Sequence, residues 1–438
     1  MVEKVLIIGS GAREHAIARA LQRSLQVPEL VGLGTNLNPG LMQLCGVFEV
    51  GNITDAEAVL AFAGKHKVTL AIIGPEAPLE AGVADALWQA GIPTVGPRQQ
   101  LAQIETSKAF AREMLTKYAI PACPGYRVFQ TMDGVADYLT ELGNHYVVKA
   151  DGLTGGKGVR VAGEHLHSHE EALAYAVALL DEAGQCVIEE KLVGEEFSLM
   201  SFCDGKTLRH MPPVQDHKRA YEGDTGPNTG GMGSYTDAGG CLPFLTESDI
   251  QKAQQINEQS AAALAAEFGQ PYQGILYGGF MATREGVKLI EYNARFGDPE
   301  AMNVLALLET DFLAVCQAIV QQNLMDLEVT FAPLATVCKY AVPQGYPEKP
   351  VKGEPVDVSA VKQPEQVYFA SVEAKGDILR EAGSRTIAVV GIAPDLSSAE
   401  KQAEELVSDI EGPLFHRRDI GTRELVQKRI DHMREIRG

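Results

Sequence analysis

Tyr146-Val147-Val148-Lys149-Ala150-Asp151-Gly152-Leu153-Thr154-Gly155-Gly156-Lys157-Gly158-Val159-Arg160-Val161 is the stretch on which the fold turns. A short apolar run enters a glycine-rich segment, and Val159-Arg160-Val161 leaves it as a second strand, so the glycines form a loop that joins strands. It is not a Walker A loop, since no Ser or Thr follows Lys157 and the first glycine is misplaced. Glycines at 152, 155, 156 and 158 around Lys157 suit a mobile flap that closes over polyphosphate. Lysine supplies a point charge with three donors, and glycine lets the backbone approach oxygen closely. A solvated hairpin tip has the same composition. Lys149 favours the phosphate alternative, because a lysine ending the run Val147-Val148 costs desolvation free energy unless an anion partners it.

The flanking segments extend that pattern. A helix is expected from Ser107 to Tyr118, with Lys108 near its start. Another runs from Glu170 to Glu182, followed by a strand from Cys186 to Glu190. Backbone at the end of that strand, Glu189-Glu190-Lys191-Leu192, can read an adenine edge while a carboxylate takes ribose hydroxyls; an exposed charged turn is the alternative. Gly194-Glu195-Glu196 opens a further strand through Phe202. In Val287–Asn293 the faces alternate, so Glu291 and Asn293 project to one side. They can share a hard cation, and magnesium held mostly by substrate phosphates needs only one or two protein ligands. Arg295 continues the trend, and a half-exposed polar face is again the alternative. The segment Gln215–Gly240 reads as a long loop, carrying Asp216-His217-Lys218-Arg219 and then Asp224 to Gly233. Loops longer than about 15 residues are usually functional or disordered, and the Asn and Thr content here favours ordering a substrate.

The N-terminal hundred residues read as a parallel sheet covered on both faces. Val5–Ile8 is a buried strand leading through Gly9-Ser10-Gly11 into a helix over Glu14–Leu25. Leu70–Ile73 is a second strand ending at Gly74-Pro75-Glu76, followed by a helix over Pro78–Ala90 and a strand at Thr94-Val95. Ligands of such sheets sit at the carboxyl ends of the strands, where Gly9–Arg13 and Gly74–Glu76 fall. Glu14 stands where the dinucleotide fingerprint needs its third glycine, so an NAD-type site is excluded, although an anion site at the helix N-terminus remains. Beyond about Val329, strands at Thr336–Ala341, Val367–Val372 and Thr386–Val390 and a helix over Ser398–Ile410 suggest a small α+β cap. The expected division is 1–105, 106–325 with a lid over about 123–193, and 326–438.

Composition bounds the partners. The 438 residues carry 38 basic and 58 acidic side chains, a net charge of −20. That argues against a broad grip on nucleic acid or anionic lipid, while a local lysine cluster can still bind phosphate. Cys45, Cys123, Cys186, Cys203, Cys241, Cys316 and Cys338 are scattered with no Cys-x-x-Cys, as expected of reduced thiols in a cytoplasmic protein. No stretch approaches the roughly 18 apolar residues that span a bilayer. His165-x-His167-x-His169 imitates a metal comb, but Ser168 with Glu171 is a capping box, so a solvated turn is expected. No G-x-S-x-G and no thiol beside a base supports a nucleophile.

Together these motifs resemble the ATP-grasp enzymes, and within them the phosphoribosylamine–glycine ligase (glycinamide ribonucleotide synthetase) family. The resemblance spans nearly the whole chain. It rests on Gly9-Ser10-Gly11-Ala12-Arg13-Glu14-His15-Ala16, Gly74-Pro75-Glu76-Ala77-Pro78-Leu79, Ser107-Lys108-Ala109-Phe110 and Val148–Gly152. Further on it includes Gln215–Arg219, Gly223–Gly233, Arg295-Phe296-Gly297-Asp298-Pro299-Glu300 and Arg418–Gly421. It implies ATP-grasp central domains between the parallel α/β domain and the small C-terminal α+β domain. It also implies a purine-biosynthetic reaction in which ATP, glycine and 5-phosphoribosylamine give glycinamide ribonucleotide, ADP and phosphate through glycyl phosphate. By position, ATP contacts fall on Lys108, Lys149, Gly152, Lys157, Gly158, Glu189, Glu190, Leu192 and Glu196. Substrate contacts fall on Gly11, Arg13, Glu76, Asp216, Lys218, Arg295, Gly297 and Asp298. The magnesium or manganese ligands are Glu291 and Asn293, and the catalytic assignments are Lys157, Arg295 and Asp216, the last as the amine's base.

The resemblance carries the expectation of a monomer with no nucleic-acid or membrane partner. Departures from its pattern are Ala12 in the first loop, Leu153-Thr154-Gly155 in the flap, and Gly34-Thr35-Asn36-Leu37-Asn38-Pro39-Gly40, which leaves Asn36 and Asn38 as rival substrate contacts. Leu276–Ala282 offers no additional metal carboxylate, so water or phosphate must complete the coordination. Another ATP-grasp ligase and a non-catalytic nucleotide-binding protein are the alternatives; only the former would release ADP when its own acceptor is present.

Overall fold

The computed structural model describes residues 2–154, 158–376 and 378–438. Continuous apolar runs build the first sheet from β1 (Lys4–Ile8), β2 (Glu29–Gly34), β3 (Val47–Val50), β4 (Leu70–Ile73) and β5 (Thr94–Val95). Its order is β3-β2-β1-β4-β5, and every pairing is parallel. Val5–Ile8 and Leu70–Ile73 are buried throughout, as strands covered on both faces must be. The expected parallel α/β unit is present. Strand order reverses between β1 and β4, and Glu14 fills the crevice there. A Cβ on Gly74 would lie 2.0 Å from Glu14 Oε1, and one on Gly9 2.7 Å from Glu14 Cγ. A carboxylate therefore occupies the space that a pyrophosphate would need, which is why the third glycine is missing. The helix expected over Pro78–Ala90 is two helices, Glu76–Glu80 and Val83–Gln89, because Gly82 adopts φ +78° between them.

A second sheet is antiparallel: β6 (Tyr126–Phe129), β7 (Tyr146–Ala150), β8 (Val159–Val161) and β9 (Cys186–Glu190), in the order β6-β9-β7-β8. Helices Val135–Leu142 and His169–Ala183 pack with it around a core of its own that includes Phe129, Tyr138, Val148 and Ile188. Ser168 Oγ accepts the Glu171 N–H, so His169, the last of the three histidines, lies at a helix start, and His165 and His167 precede the cap. The chain leaves β9 through Lys191-Leu192-Val193 into β10 (Gly194–Cys203). With β11 (Leu208–His210) and the strands Gly274–Thr283 and Gly286–Asn293, β10 forms a four-stranded antiparallel sheet. The helix Glu247–Phe268 covers it, and Tyr292 Oη donates to Ser260 Oγ at 2.8 Å.

The third unit is a mixture of strands and helix, with Ala335–Pro343 and Ile387–Ala393 pairing antiparallel under the helix Leu396–Ser408. Here the sequence expectation for Gln215–Gly240 is corrected. Its ends are strands, Gln215–Asp216 and Gly233–Thr236, which extend the C-terminal six-stranded sheet, and Arg219–Tyr221 pairs with Thr225–Asn228 as a hairpin. Gly233 permits the join, because a Cβ there would meet Cys338 O at 2.3 Å and its φ is +152°. Val367–Val372 likewise splits between two sheets, Val367–Phe369 in one and Val372–Lys375 in another. Sequence reasoning missed the helix Arg423–Arg437, although Thr422 caps it and Val426, Ile430 and Met433 recur at helical spacing; its buried residues are Leu425, Val426 and Met433. Among the described residues no helix is long and apolar enough to cross a membrane, and all seven cysteines are unbridged.

Candidate active site

A cleft of about 1830 Å³ lies where the three units meet. The lid contributes one wall. Lys108 opens the helix Lys108–Lys117, and its Nζ donates to Gly152 O at 3.0 Å. Ser107 caps that helix and also donates to Asp151 Oδ2 at 2.9 Å, and Ala109 N donates to Asp151 Oδ1 at 3.1 Å. The helix start is thereby tied to the strand end bearing Lys149, and both lysines line the cleft. Gly152 needs its φ of +107°, which few side chains tolerate.

Lys149 has an anionic partner within the protein. Its Nζ lies 2.7 Å from Glu189 Oε2, and Arg112 grips the same carboxylate with Nε to Oε1 at 2.7 Å and Nη2 to Oε2 at 3.1 Å. Burial would raise the Glu189 carboxyl, but Arg112 and then Lys149 overcome it and hold it at about 2. The Glu189 side chain is thus held by Arg112 and Lys149, while the residue lines the cleft wall. Glu190 Oε1 accepts the Gly125 N–H at 2.8 Å, whereas Glu196 faces Lys218 at 3.5 Å.

The opposite wall carries the acidic group. Lys218 Nζ lies 3.9 Å from Glu291 Oε1. Burial works against ionisation of Glu291, but Lys218, Lys108, Lys149 and Arg295 prevail and lower its pKa. Asn293 Oδ1 accepts from Arg295 Nη2 at 3.1 Å, and the same guanidinium reaches Glu76 at 3.2 Å and Glu105 at 3.0 Å. Desolvation of Glu76 is outweighed by Arg295 and Arg13, which hold its carboxyl at about 2. Asp216 behaves in the reverse way: burial, then the neighbouring Glu300, raises its pKa well above the ordinary value, against Lys218 and Arg385. Two oxygen donors two residues apart, Glu291 and Asn293, suit a hard divalent ion whose other ligands are phosphate and water. Gly279 is the register partner of Glu291, so the adjacent strand adds no carboxylate. No cluster of three or more potential metal ligands occurs among the described residues.

Other expected contacts fare differently. Gly11 does not line the cleft, and its N–H donates to Glu14 Oε2 at 2.5 Å, so the anion at that helix start is Glu14 itself. Arg13 lines the cleft while donating to Glu14 Oε1 at 2.6 Å and Phe296 O at 3.2 Å. Gly158 also stands off the cleft; its carbonyl accepts the Ala150 N–H at 2.7 Å, and a Cβ there would strike Thr154. Lys157 lies outside the described residues. Asn38 is fully buried as a helix cap, donating to Ser10 O and Phe369 O and accepting from Gly40 and Leu41. Asn36 Nδ2, in contrast, is buried with no partner among the described residues. Gly297 and Asp298 line the cleft, where Tyr340 Oη donates to Asp298 Oδ1 at 2.6 Å.

Sequence reasoning missed Glu105, Arg112, Tyr277, Glu300 and Arg385. Tyr277 Oη donates to buried Glu300 Oε1 at 2.7 Å. Glu300 ends the recognised turn, so its place could have been anticipated. Arg112 falls four residues after Lys108 on the same helix face, which was also a usable signal. Arg385 had none, because its role depends on the packing of a distant strand.

An antiparallel lid facing a second antiparallel sheet across a lysine-lined cleft is the architecture of the ATP-grasp class. Family models described as the N domain, ATP-grasp (A) domain and C domain of phosphoribosylglycinamide synthetase match residues 3–105, 106–301 and 336–423. The chain belongs to the phosphoribosylglycinamide synthetase family. The phosphoribosylamine–glycine ligase of Methanosarcina barkeri is 52% identical over 435 residues, covering 99% of this chain and 100% of the relative. That of Methanocaldococcus jannaschii is 50% identical over 444 residues, covering 99% and 100%. A crystal structure of the Thermotoga maritima phosphoribosylamine–glycine ligase superposes with a TM-score of 0.81 at 29% identity, covering 95% of this chain and 100% of that one. The biotin carboxylase domain of a Hydrogenobacter thermophilus 2-oxoglutarate carboxylase shares the fold alone, with a TM-score of 0.73 at 15% identity over 99% of this chain and 94% of that one.

Proposed function

We propose that this chain is an ATP-dependent carbon–nitrogen ligase that joins glycine to 5-phosphoribosylamine, giving glycinamide ribonucleotide, ADP and phosphate in purine biosynthesis. Family membership over the full length carries the proposal. The cleft chemistry supports it, with lysines at one wall and an acidic, oxygen-donor wall opposite.

Glycine's carboxylate attacks the γ-phosphorus in line, the bond to ADP breaks, and glycyl phosphate forms. The amine then attacks the acyl carbon, a C–N bond forms, phosphate leaves, and the amine's proton passes to a base. Lys108 and Lys149 orient and neutralise the nucleotide phosphates. Arg295, fixed by Glu76 and Glu105, orients glycine or the transferred phosphoryl group. Asp216, whose raised pKa favours accepting a proton, takes it from the amine. Glu291 and Asn293 would hold magnesium or manganese, which when bound supplies charge neutralisation at the phosphates. Lys157 keeps its flap role by place in the sequence alone. Acyl phosphates hydrolyse, so closure of the lid to exclude water is required. The monomeric state and the division at 105 and 325 are parts of the same proposal.

ADP release measured with each substrate omitted in turn tests it. Release should require both glycine and phosphoribosylamine. Release with glycine and another amine would point to a different ligase, and nucleotide binding without glycine-dependent release would point to a non-catalytic protein.

A further inference from the structure

Arg385 enters the cleft from the C-terminal unit, on the chain between the strands Ile378–Glu381 and Ile387–Ala393. One nitrogen carries its scaffold contacts. Nη1 donates to Gly230 O at 2.8 Å and to Asp298 O at 2.7 Å, and lies 3.2 Å from Asp298 Oδ1. Cζ stacks 4.7 Å over the Tyr340 ring. The guanidinium also lies against Gly230, where a Cβ would come within 3.2 Å of Cζ and Nη2, so glycine at 230 makes room for it. Among the described residues Nε and Nη2 donate to nothing, and the side chain is 17% exposed, to the cleft. A planar cation fixed by one nitrogen and presenting two parallel donors matches the bidentate geometry of a phosphate monoester.

The position selects which phosphate. A Cβ on Gly231, next to Gly230, would meet Asp216 Oδ1 at 2.7 Å, so Arg385 and Asp216 face the same part of the cleft. No hydrogen bond joins Arg385 to any described residue of the lid. The nucleotide lysines stand on the lid side, whereas the amine to be deprotonated belongs beside Asp216. We infer that Arg385 is the receptor for the 5-phosphate of the amine substrate, setting specificity for a ribose phosphate over an unphosphorylated sugar. This rests on the ligase activity proposed above.

The test is direct binding to the full chain by titration calorimetry, with ribose 5-phosphate, ribose and ADP as probes. Wild type should prefer ribose 5-phosphate to ribose. Arg385→Ala should lose about 10- to 100-fold in ribose 5-phosphate affinity, the weight of a charge-assisted hydrogen bond, with ADP affinity unchanged. Arg385→Lys should recover part of that loss. Ser384→Asp keeps Arg385 and adds a negative charge at a neighbouring residue of the cleft lining, so it should weaken ribose 5-phosphate binding in the same direction. Equal affinity of Arg385→Lys and Ser384→Asp for ribose 5-phosphate with wild type would overturn the inference, as would parallel loss of ADP binding in the variants. Absence of phosphoribosylamine-dependent ADP release in wild type would instead defeat the proposed activity and leave the binding result to stand or fall separately.

Discussion

Glu189 is gripped by Arg112 from one side and Lys149 from the other, deep in the wall of the cleft. Removing one partner of a buried pair strands the others, which typically costs about 3–5 kcal/mol. Glu189→Ala should therefore lower stability by about that amount in urea denaturation, and Glu189→Gln by less. Its carboxyl titrates at about 2 in the fold, below its ordinary 4.5. The pair's contribution is accordingly complete above the unfolded value and is lost as pH falls from 4.5 through 2. An acid titration of stability should lose that step in Glu189→Gln; an unchanged curve would show that the pair does not titrate there. Asp216 is the mirror case. A base works only when ionised, so its raised pKa places the acid limb of kcat/KM above the ordinary carboxylate range, and Asp216→Asn should abolish turnover together with that limb. Lys149 shows how far a single residue could be read from sequence. Its need for an anion was legible from the apolar run before it, but the anion proved to be Glu189, 40 residues away, and nothing local announces a partner at that distance.

The hairpin Arg219–Tyr221 with Thr225–Asn228 meets the lid where Arg219 pairs with Glu164, and Glu164 also binds Lys191 at 3.0 Å. Exposed pairs of this kind contribute only about 0–1 kcal/mol to stability. Glu164→Ala should thus leave the unfolding midpoint nearly unchanged while speeding ADP dissociation several-fold in stopped-flow measurements. An unaltered rate would mean that this contact does not hold the lid. Elements with continuous apolar runs, such as β1, β4 and β9, were legible because burial on both faces demands such runs. The short strands Gln215–Asp216 and Gly233–Thr236 were not, since they hold only 2 and 4 residues amid glycines; the second gains its order from Ala335–Pro343 and the first from the second. Local signals in that segment predict a loop for that reason, and its residues Asp216 and Lys218 line the cleft.

The C-terminal helix Arg423–Arg437 sets Val426 and Met433 into the main core and adds ion pairs from its other side chains. Arg429 lies 3.3 Å from buried Glu195, His432 pairs with the same carboxylate at 2.6 Å, and Arg437 holds Asp249 at 2.8 Å. Truncation after Thr422 would leave Glu195 and Asp249 buried without cations. The thermal midpoint should fall by roughly 10 °C or more, and scanning calorimetry showing the full chain's midpoint would contradict this. Local chemistry in the chain was enough to identify the parallel N-terminal sheet, the paired strands on either side of the glycine-rich segment and several charged residues of the cleft, because apolar runs and glycine spacing act over a few residues. Folding in three dimensions assigned the partners: Glu105 to Arg295, Glu189 to Lys149, Glu14 to the crevice above β1, and Arg385 to Asp298. Electrostatic pairing depends on distance through space, and residues 40 to 190 positions apart acquire that proximity only when the sheets have packed.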